Sequence, residues 1–176
     1  MAEGQSKFSF SLMSFSFFIR DLILPRNNIL GEVGIKEGNF VLDFGCGSGS
    51  YLVPLAEIVG ESGRIYALDI NPLAIEKGRK IVSKKRLLNI QFIISDCDTI
   101  LPDGCLDAVL LYDILHALSN PKPILIEINR LLKPSGILSC TDHHLRRNDI
   151  VSIVTQNILF ELSNEGKKTL NFSKLL

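Results

Sequence analysis

The stretch Val41-Leu42-Asp43-Phe44-Gly45-Cys46-Gly47-Ser48-Gly49-Ser50 decides the fold. It reads as a buried strand that breaks into a glycine-dense turn and then enters a helix. Glycines at alternate positions let the backbone turn tightly, adopt positive φ and approach a ligand with no Cβ in the way. Asp43 stands at the carboxyl end of the strand, where open α/β sheets bind their ligands.

Outward from this loop, short apolar runs alternate with helical patterns, the signature of a parallel sheet covered by helices. Strands are expected at Phe40 to Phe44, Arg64 to Ile70, Ile90 to Ser95, Asp107 to Tyr112 and Gly136 to Thr141. Their nearly continuous Val, Ile and Leu content suits strands buried on both faces. Helices are expected at Tyr51 to Val59, then from Asn71 as cap with Pro72 in the first position, burying Leu73, Ala74, Ile81 and Val82. A third should run from Pro121 to Leu132, capped by Asn120 and ended by Pro134 and Gly136. After Thr141 come a helix from about Asp149 to Gln156 and two short strands, Leu159 to Ser163 and Lys168 to Ser173, about a turn at Asn164-Glu165-Gly166. The expectation is an α/β three-layer sandwich: a seven-stranded, mostly parallel sheet closed by a C-terminal antiparallel hairpin.

With 176 residues and 46% hydrophobic content, the chain suits one globular unit with a substantial core. Nineteen basic residues balance nineteen acidic ones, so no global field recruits nucleic acid or an anionic membrane. Cys46, Cys97, Cys105 and Cys140 form no CxxC pair and lie in or beside apolar runs, which reads as reduced thiols in a cytoplasmic protein. The Phe-rich segment from Phe8 to Ile19 is broken by serines and closed by Arg20-Asp21. It falls short of the roughly 20 mainly apolar residues that span a bilayer, so no stable membrane insertion is expected. Residues 1–30 are read as a helical arm or lid, and 31–176 as the cofactor-binding domain. The Phe-rich end also offers a surface for self-association into a homodimer.

The dinucleotide fingerprint GxGxxG fails here, because its third position falls on Ser50 from Gly45 and on Leu52 from Gly47. What stands instead is Asp43-x-Gly45-x-Gly47-x-Gly49, which resembles the first motif of the class I S-adenosylmethionine-dependent methyltransferases. An acid at that point suits a cofactor with an ammonium group and a cationic sulfur, and would repel a pyrophosphate. Further segments match the same family in order. Asp69, ending Ile65-Tyr66-Ala67-Leu68-Asp69, resembles the carboxylate that accepts both ribose hydroxyls, with Ile70 against the adenine. A vicinal diol offers two donors and a carboxylate two acceptor oxygens, so one Asp can hold the sugar bidentately. Asp96 and Cys97, in Ser95-Asp96-Cys97-Asp98, resemble the acid that accepts from the adenine amino group and the amide that reaches a ring nitrogen. Leu106 to Tyr112 and Glu127 to Leu138 match the family's fourth strand and its passage into the fifth, with Ser135 replacing the more usual glycine. The resemblance covers roughly Gly38 to Asp142 and implies a Rossmann-like methyltransferase sheet. It implies Asp43, Gly45, Cys46, Gly47, Gly49, Asp69, Ile70, Asp96, Cys97 and Tyr112 as the cofactor contacts, and S-adenosylhomocysteine as product.

Methyl transfer from a sulfonium is an in-line displacement, so holding the acceptor about 3–3.5 Å from the methyl in a dry site supplies much of the catalysis. A base is optional; where the acceptor carries a proton, the histidines are the candidates. Tyr112 is expected as a pocket wall, with His116, Asp142 and His143 as acceptor-pocket or base candidates at the same rim. No metal is expected, because adjacent histidines in an extended segment point to opposite sides and cannot share an ion unless the loop turns sharply.

Lys77, Arg79, Lys80, Lys84, Lys85 and Arg86 read as the solvated face and last turns of a helix, where cations complement its dipole, rather than as an RNA platform. The fourth strand ends in Tyr112-Asp113-Ile114-Leu115, without the Asn- or Asp-Pro-Pro-Tyr motif that DNA amine methyltransferases share. The expected acceptor is therefore a small molecule rather than nucleic acid. Two other functions fit parts of the chain: a non-catalytic S-adenosylmethionine-binding subunit, and an NAD-binding oxidoreductase, which Ser50 disfavours.

Overall fold

The computed structural model describes residues 26–175. The Phe8 to Ile19 segment and the self-association assigned to it lie outside the described residues. The elements are α1 (Arg26–Leu30), β1 (Phe40–Phe44), α2 (Leu52–Val59), β2 (Arg64–Asp69), α3 (Pro72–Lys85), β3 (Ile90–Ile94), β4 (Leu106–Tyr112), α4 (Lys122–Leu131), β5 (Leu132–Thr141), α5 (Arg147–Thr155), β6 (Phe160–Glu165) and β7 (Leu170–Lys174). A single 3-10 turn, Leu115–Ala117, follows β4.

The seven strands form one sheet in the order β3-β2-β1-β4-β5-β7-β6. Strands β1 to β5 pair in parallel, while β7 runs antiparallel to both β5 and β6. This is the expected seven-stranded, mostly parallel sheet with its closing antiparallel hairpin. From β1 the chain winds outward through β2 and β3, then returns to place β4 on the other side of β1. The sheet's switch point thus lies between β1 and β4, where open α/β sheets leave a crevice outside the carboxyl ends of their strands.

Strand residues alternate between two cores, which is why each strand reads as a continuous apolar run. Leu42, Phe44, Val109 and Leu111 face the helices α4 and α5, whose Leu125, Ile128, Ile150 and Val154 are buried against them. Val41, Ala67, Ala108 and Leu110 face α1, α2 and α3, meeting Leu30, Leu52, Leu55 and Ile75. Three layers result.

Boundaries shift where tertiary contacts override local signals. The side chain of Asn71 caps α3 by accepting from the Leu73 amide at 2.9 Å, with Pro72 in the first position as expected. The buried face of α3 differs from the expected one: Ala74, Ile75 and Gly78 are buried, whereas Leu73, Ile81 and Val82 are half-buried. Helix α3 lies over β2 and β3 near the sheet edge, and the bare Gly78 allows the Phe92 ring to approach it closely. Helix α4 ends at Leu131, before Pro134, because Leu132 already pairs with Leu106; the register then jumps so that Ile137 opposes Ala108.

The hairpin turn lies beyond the expected Asn164-Glu165-Gly166. Asn164 and Glu165 still pair, with Asn171 and Leu170, and the Gly166 amide donates to the Thr169 carbonyl at 2.9 Å. Glu32 holds this turn from far along the chain, accepting from the amides of Lys168 and Thr169 at 2.9 Å each. A Cβ on Gly166 would overlap that carboxylate and push it away from the turn it holds. All four cysteines are free thiols, and among the described residues no helix is long and apolar enough to cross a membrane.

Candidate functional site

The glycine loop is tied to the end of β2. The amides of Gly45 and Cys46 both donate to the Leu68 carbonyl at 2.8 Å, and the Gly47 amide donates to Asp69 Oδ2 at 2.8 Å. Asp69 Oδ1 accepts from the Asn71 amide at 2.8 Å, so the carboxylate is fixed from two sides. Gly45 has φ +79°, and a Cβ there would sit 2.6 Å from Ile114 Cδ1. Both facts demand glycine.

Two cavities open at this rim. The larger, about 460 Å³, is lined by Asp43, Gly45, Cys46, Gly47, Asp69, Tyr112, His116 and His143 from the expected set. The smaller, about 150 Å³, is lined by Gly45, Asp69, Ile70 and Asp96 together with Ile114 and Leu118. Gly45, Asp69 and Ile114 border both, so one carboxylate stands at the junction. Gly49, Cys97 and Asp142 line neither. Gly49 is buried against Leu52, the Cys97 amide donates to Ser95 Oγ at 3.2 Å, and Asp142 lies behind the histidines. Asp113 and His144, which the sequence places at the same rim without a role, line the larger cavity too, as do Ser48, Ser50, Tyr51 and Ile114, which the sequence reading missed. Position beside the glycines was a signal for the serines and Tyr51.

Tyr112 is 6% exposed, and its ring meets that of Tyr51 edge-on at 5.1 Å. Its hydroxyl pairs with Ser139 Oγ at 2.9 Å, and burial pushes its pKa well up, so it offers the cavity a wall rather than a proton. Burial likewise pushes the Cys46 thiol up, with Asp43 and Asp69 adding to the effect, which leaves it protonated and poorly nucleophilic.

Beyond Tyr112 stand two carboxylate–imidazole pairs. The buried Asp142 carboxylate lies 2.9 Å from His116 Nδ1 and accepts from the His116 amide at 3.1 Å and the His144 amide at 2.9 Å. Burial pushes the Asp142 pKa up, but the bonds from His116 and His144 outweigh it and hold the carboxyl below its ordinary value. An ionised carboxylate only accepts, so His116 Nδ1 donates to Asp142. The second pair is His143 Nδ1 with Asp113 Oδ1 at 2.7 Å. The ground for expecting no metal does not hold: after β5 the chain bends sharply, and the His143 and His144 rings lie 3.9 Å apart instead of on opposite sides.

Among the described residues no lysine or arginine lines either cavity, whereas Asp43, Asp69, Asp96 and Asp113 do. Such a site repels a pyrophosphate and suits a ligand with positive charge at one end, a diol in the middle and a flat apolar group at the other.

A sequence profile described as a methyltransferase domain matches residues 35–171. The chain belongs to this family. Its fold is that of the class I S-adenosylmethionine-dependent methyltransferases. Among solved structures, a SAM-dependent methyltransferase from Aquifex aeolicus is similar with a TM-score of 0.78 and 26% identity, over 89% of this chain and 93% of that one. Among curated proteins, a demethylmenaquinone methyltransferase of Geobacillus sp. (strain WCH70) is 29% identical over 66% of this chain and 50% of its own. A ubiquinone/menaquinone biosynthesis C-methyltransferase of Marinomonas sp. (strain MWYL1) is 26% identical over 79% of this chain and 56% of its own. The chain thus spans about half the length of the curated relatives it matches.

Proposed function

We propose that this protein binds S-adenosylmethionine and catalyses transfer of its methyl group to a small-molecule acceptor, leaving S-adenosylhomocysteine. The observation that carries the reading is the pair of adjoining cavities with Asp69 at their junction. Bound there, S-adenosylmethionine supplies an electrophilic methyl group on a sulfonium centre. Asp69 accepts from the ribose hydroxyls, and Asp96, Ile70 and Leu118 border the smaller cavity as the adenine site. Asp43 and the Gly45–Gly47 backbone receive the amino-acid end, where the carboxylate offsets positive charge. Tyr112 walls the reacting region, while His116, His143 and the Asp142 behind them form the acceptor side.

A small-molecule acceptor is supported by the small-molecule substrates named for the quinone-pathway relatives. Four free thiols favour a reducing compartment, the cytoplasm. In this reading residues 31–176 carry the donor site and residues 1–30 serve as an arm.

Calorimetric titration with S-adenosylhomocysteine, S-adenosylmethionine and NADH tests the donor assignment. Both adenosyl compounds should bind, and Asp69→Ala should weaken them at least about tenfold, since each hydrogen bond to a charged group contributes about 1.5–3 kcal/mol. NADH binding with no response to either adenosyl compound refutes it. Incubation with a methyl-labelled donor and a metabolite pool, read by product mass, then identifies the acceptor; no labelling across broad pools favours the non-catalytic subunit.

A further inference from the structure

Helix α4 lines neither cavity, yet it holds the loop that brings Asp96 to the smaller one. Asp96 is exposed, and among the described residues no hydrogen bond reaches its carboxylate, so the backbone that carries it sets its position. From Ser95 to Gly104 that backbone forms neither helix nor strand. Beyond Ser95, whose amide donates to the Asp69 carbonyl at 3.4 Å, its ties to the rest of the fold converge on two residues of α4. Glu127 Oε1 accepts from the Thr99 amide at 3.3 Å and from Thr99 Oγ1 at 2.8 Å. Arg130 donates through Nη1 to the Leu101 carbonyl at 2.8 Å and to the Asp103 carboxylate, and its own carbonyl accepts from the Gly104 amide at 2.9 Å. Glu127 and Arg130 are locked to each other as well, Nε to Oε2 at 2.8 Å and Nη2 to Oε1 at 2.7 Å, a bidentate pair that fixes both side chains.

The loop does not take this course by local preference. Ile100 has φ +59°, a left-handed conformation that a β-branched residue rarely adopts, and its side chain is 98% exposed, so packing does not hold it there. The bonds on either side do. Thr99 is buried and doubly bonded to Glu127, the Leu101 amide donates to Thr99 Oγ1 at 3.3 Å, and the Leu101 carbonyl is taken by Arg130. Strain of this kind persists only where the surroundings over-determine the backbone. Without Glu127 and Arg130, Ile100 is free to return to negative φ, and the chain four residues before it, at Asp96, changes course.

From this arrangement we infer that Glu127 and Arg130 are positioning residues of the donor site: acting through Thr99 and Leu101, they hold Asp96 at the smaller cavity and so set which base it accepts. Adenine presents an amino group, a donor that a carboxylate accepts from. Hypoxanthine presents a carbonyl oxygen in the same place, which a carboxylate repels. The inference rests on the reading of the two cavities as the S-adenosylmethionine site.

The test compares S-adenosylhomocysteine with S-inosylhomocysteine, which carries hypoxanthine in place of adenine, by calorimetric titration. Wild-type protein should prefer the adenine compound by at least about tenfold, the contribution of one hydrogen bond to a charged group. Arg130→Gln should reduce that preference at least about fivefold, and Thr99→Val, which removes Oγ1 and both of its bonds with little change of shape, at least about twofold. Loss of folded protein lowers both affinities together and leaves their ratio alone, so the ratio reports the position of Asp96 and not stability. An unchanged ratio in folded Arg130→Gln overturns the inference; where circular dichroism shows that variant unfolded, an unchanged ratio in Thr99→Val overturns it. Wild-type protein that binds both compounds equally well also overturns it, while the donor assignment stands. Binding of neither compound refutes the donor assignment, and the inference falls with it.

Discussion

Replacing Gly45 with alanine tests the link between the loop's backbone and the junction of the two cavities. Two costs are written into the geometry. At φ +79° an L residue pays the left-handed penalty, about 1–2 kcal/mol. The new Cβ would also meet Ile114 Cδ1 at 2.6 Å, and overpacking of this kind costs about 1–3 kcal/mol. The expected loss of stability is therefore about 2–5 kcal/mol. Because Gly45 and Ile114 border both cavities, the displaced wall should also weaken S-adenosylhomocysteine about tenfold or more, or ~1.4 kcal/mol. Ile114→Val separates the two costs, since it deletes Cδ1 at about 0.5–1.5 kcal/mol on its own. In the double variant the crowding should vanish while the left-handed strain stays, giving a favourable coupling of about 1–3 kcal/mol. Urea unfolding of the four proteins measures the cycle, and calorimetry measures the affinities. Additivity within about 0.5 kcal/mol, or wild-type stability for Gly45→Ala, refutes the steric account.

Other outcomes follow from elsewhere in the fold. Glu127 bonds Arg130 through both oxygens and accepts from Thr99 Oγ1 at 2.8 Å, and the Arg130 guanidinium is the main cause that holds its carboxyl below the ordinary value of 4.5. A depressed folded-state pKa gives stability that is present above the unfolded value and lost as pH falls through the folded one. Glu127→Gln should therefore melt lower than wild type at pH 7, with the gap closing below about pH 4.3; a gap constant from pH 7 to 3 rules this out. Leu125, fully buried on the α4 face, should cost about 2–5 kcal/mol when replaced by alanine, lowering Tm by about 4–20 °C. Since both cavities open at the carboxyl ends of the strands and Leu125 lines neither, S-adenosylhomocysteine affinity at 25 °C should stay unchanged in that variant, and a large loss would contradict that separation.

Local chemistry made much of the fold legible. The apolar runs of β1, β2 and β4 mark doubly covered strands because neighbouring residues such as Leu42 and Val41 enter opposite cores. Asn71-Pro72 announces a helix start because capping is satisfied within three residues. Where boundaries moved, a distant partner intervened: Glu32 with the hairpin turn, and Leu106 pairing with Leu132 ahead of Pro134. Such bonds join residues far apart in the chain and leave no local trace.

The same division runs through the site. Val41 to Ser50, by itself, determined a strand, a left-handed turn and a ligand-binding loop, because glycine spacing and a strand-end acid act within a few residues. The misplaced third glycine and the acid at Asp43 argued against a dinucleotide, and Asp69 and Asp96 at later strand ends extended the resemblance to a sulfonium-cofactor family. Only tertiary structure decided that Ile114 presses on Gly45, that Tyr112 turns its hydroxyl to Ser139, and that Asp113, Asp142 and His143 meet. The physical reason is topology: parallel pairing sets the end of β4 beside β1 and β5, so side chains separated by tens of residues share one rim.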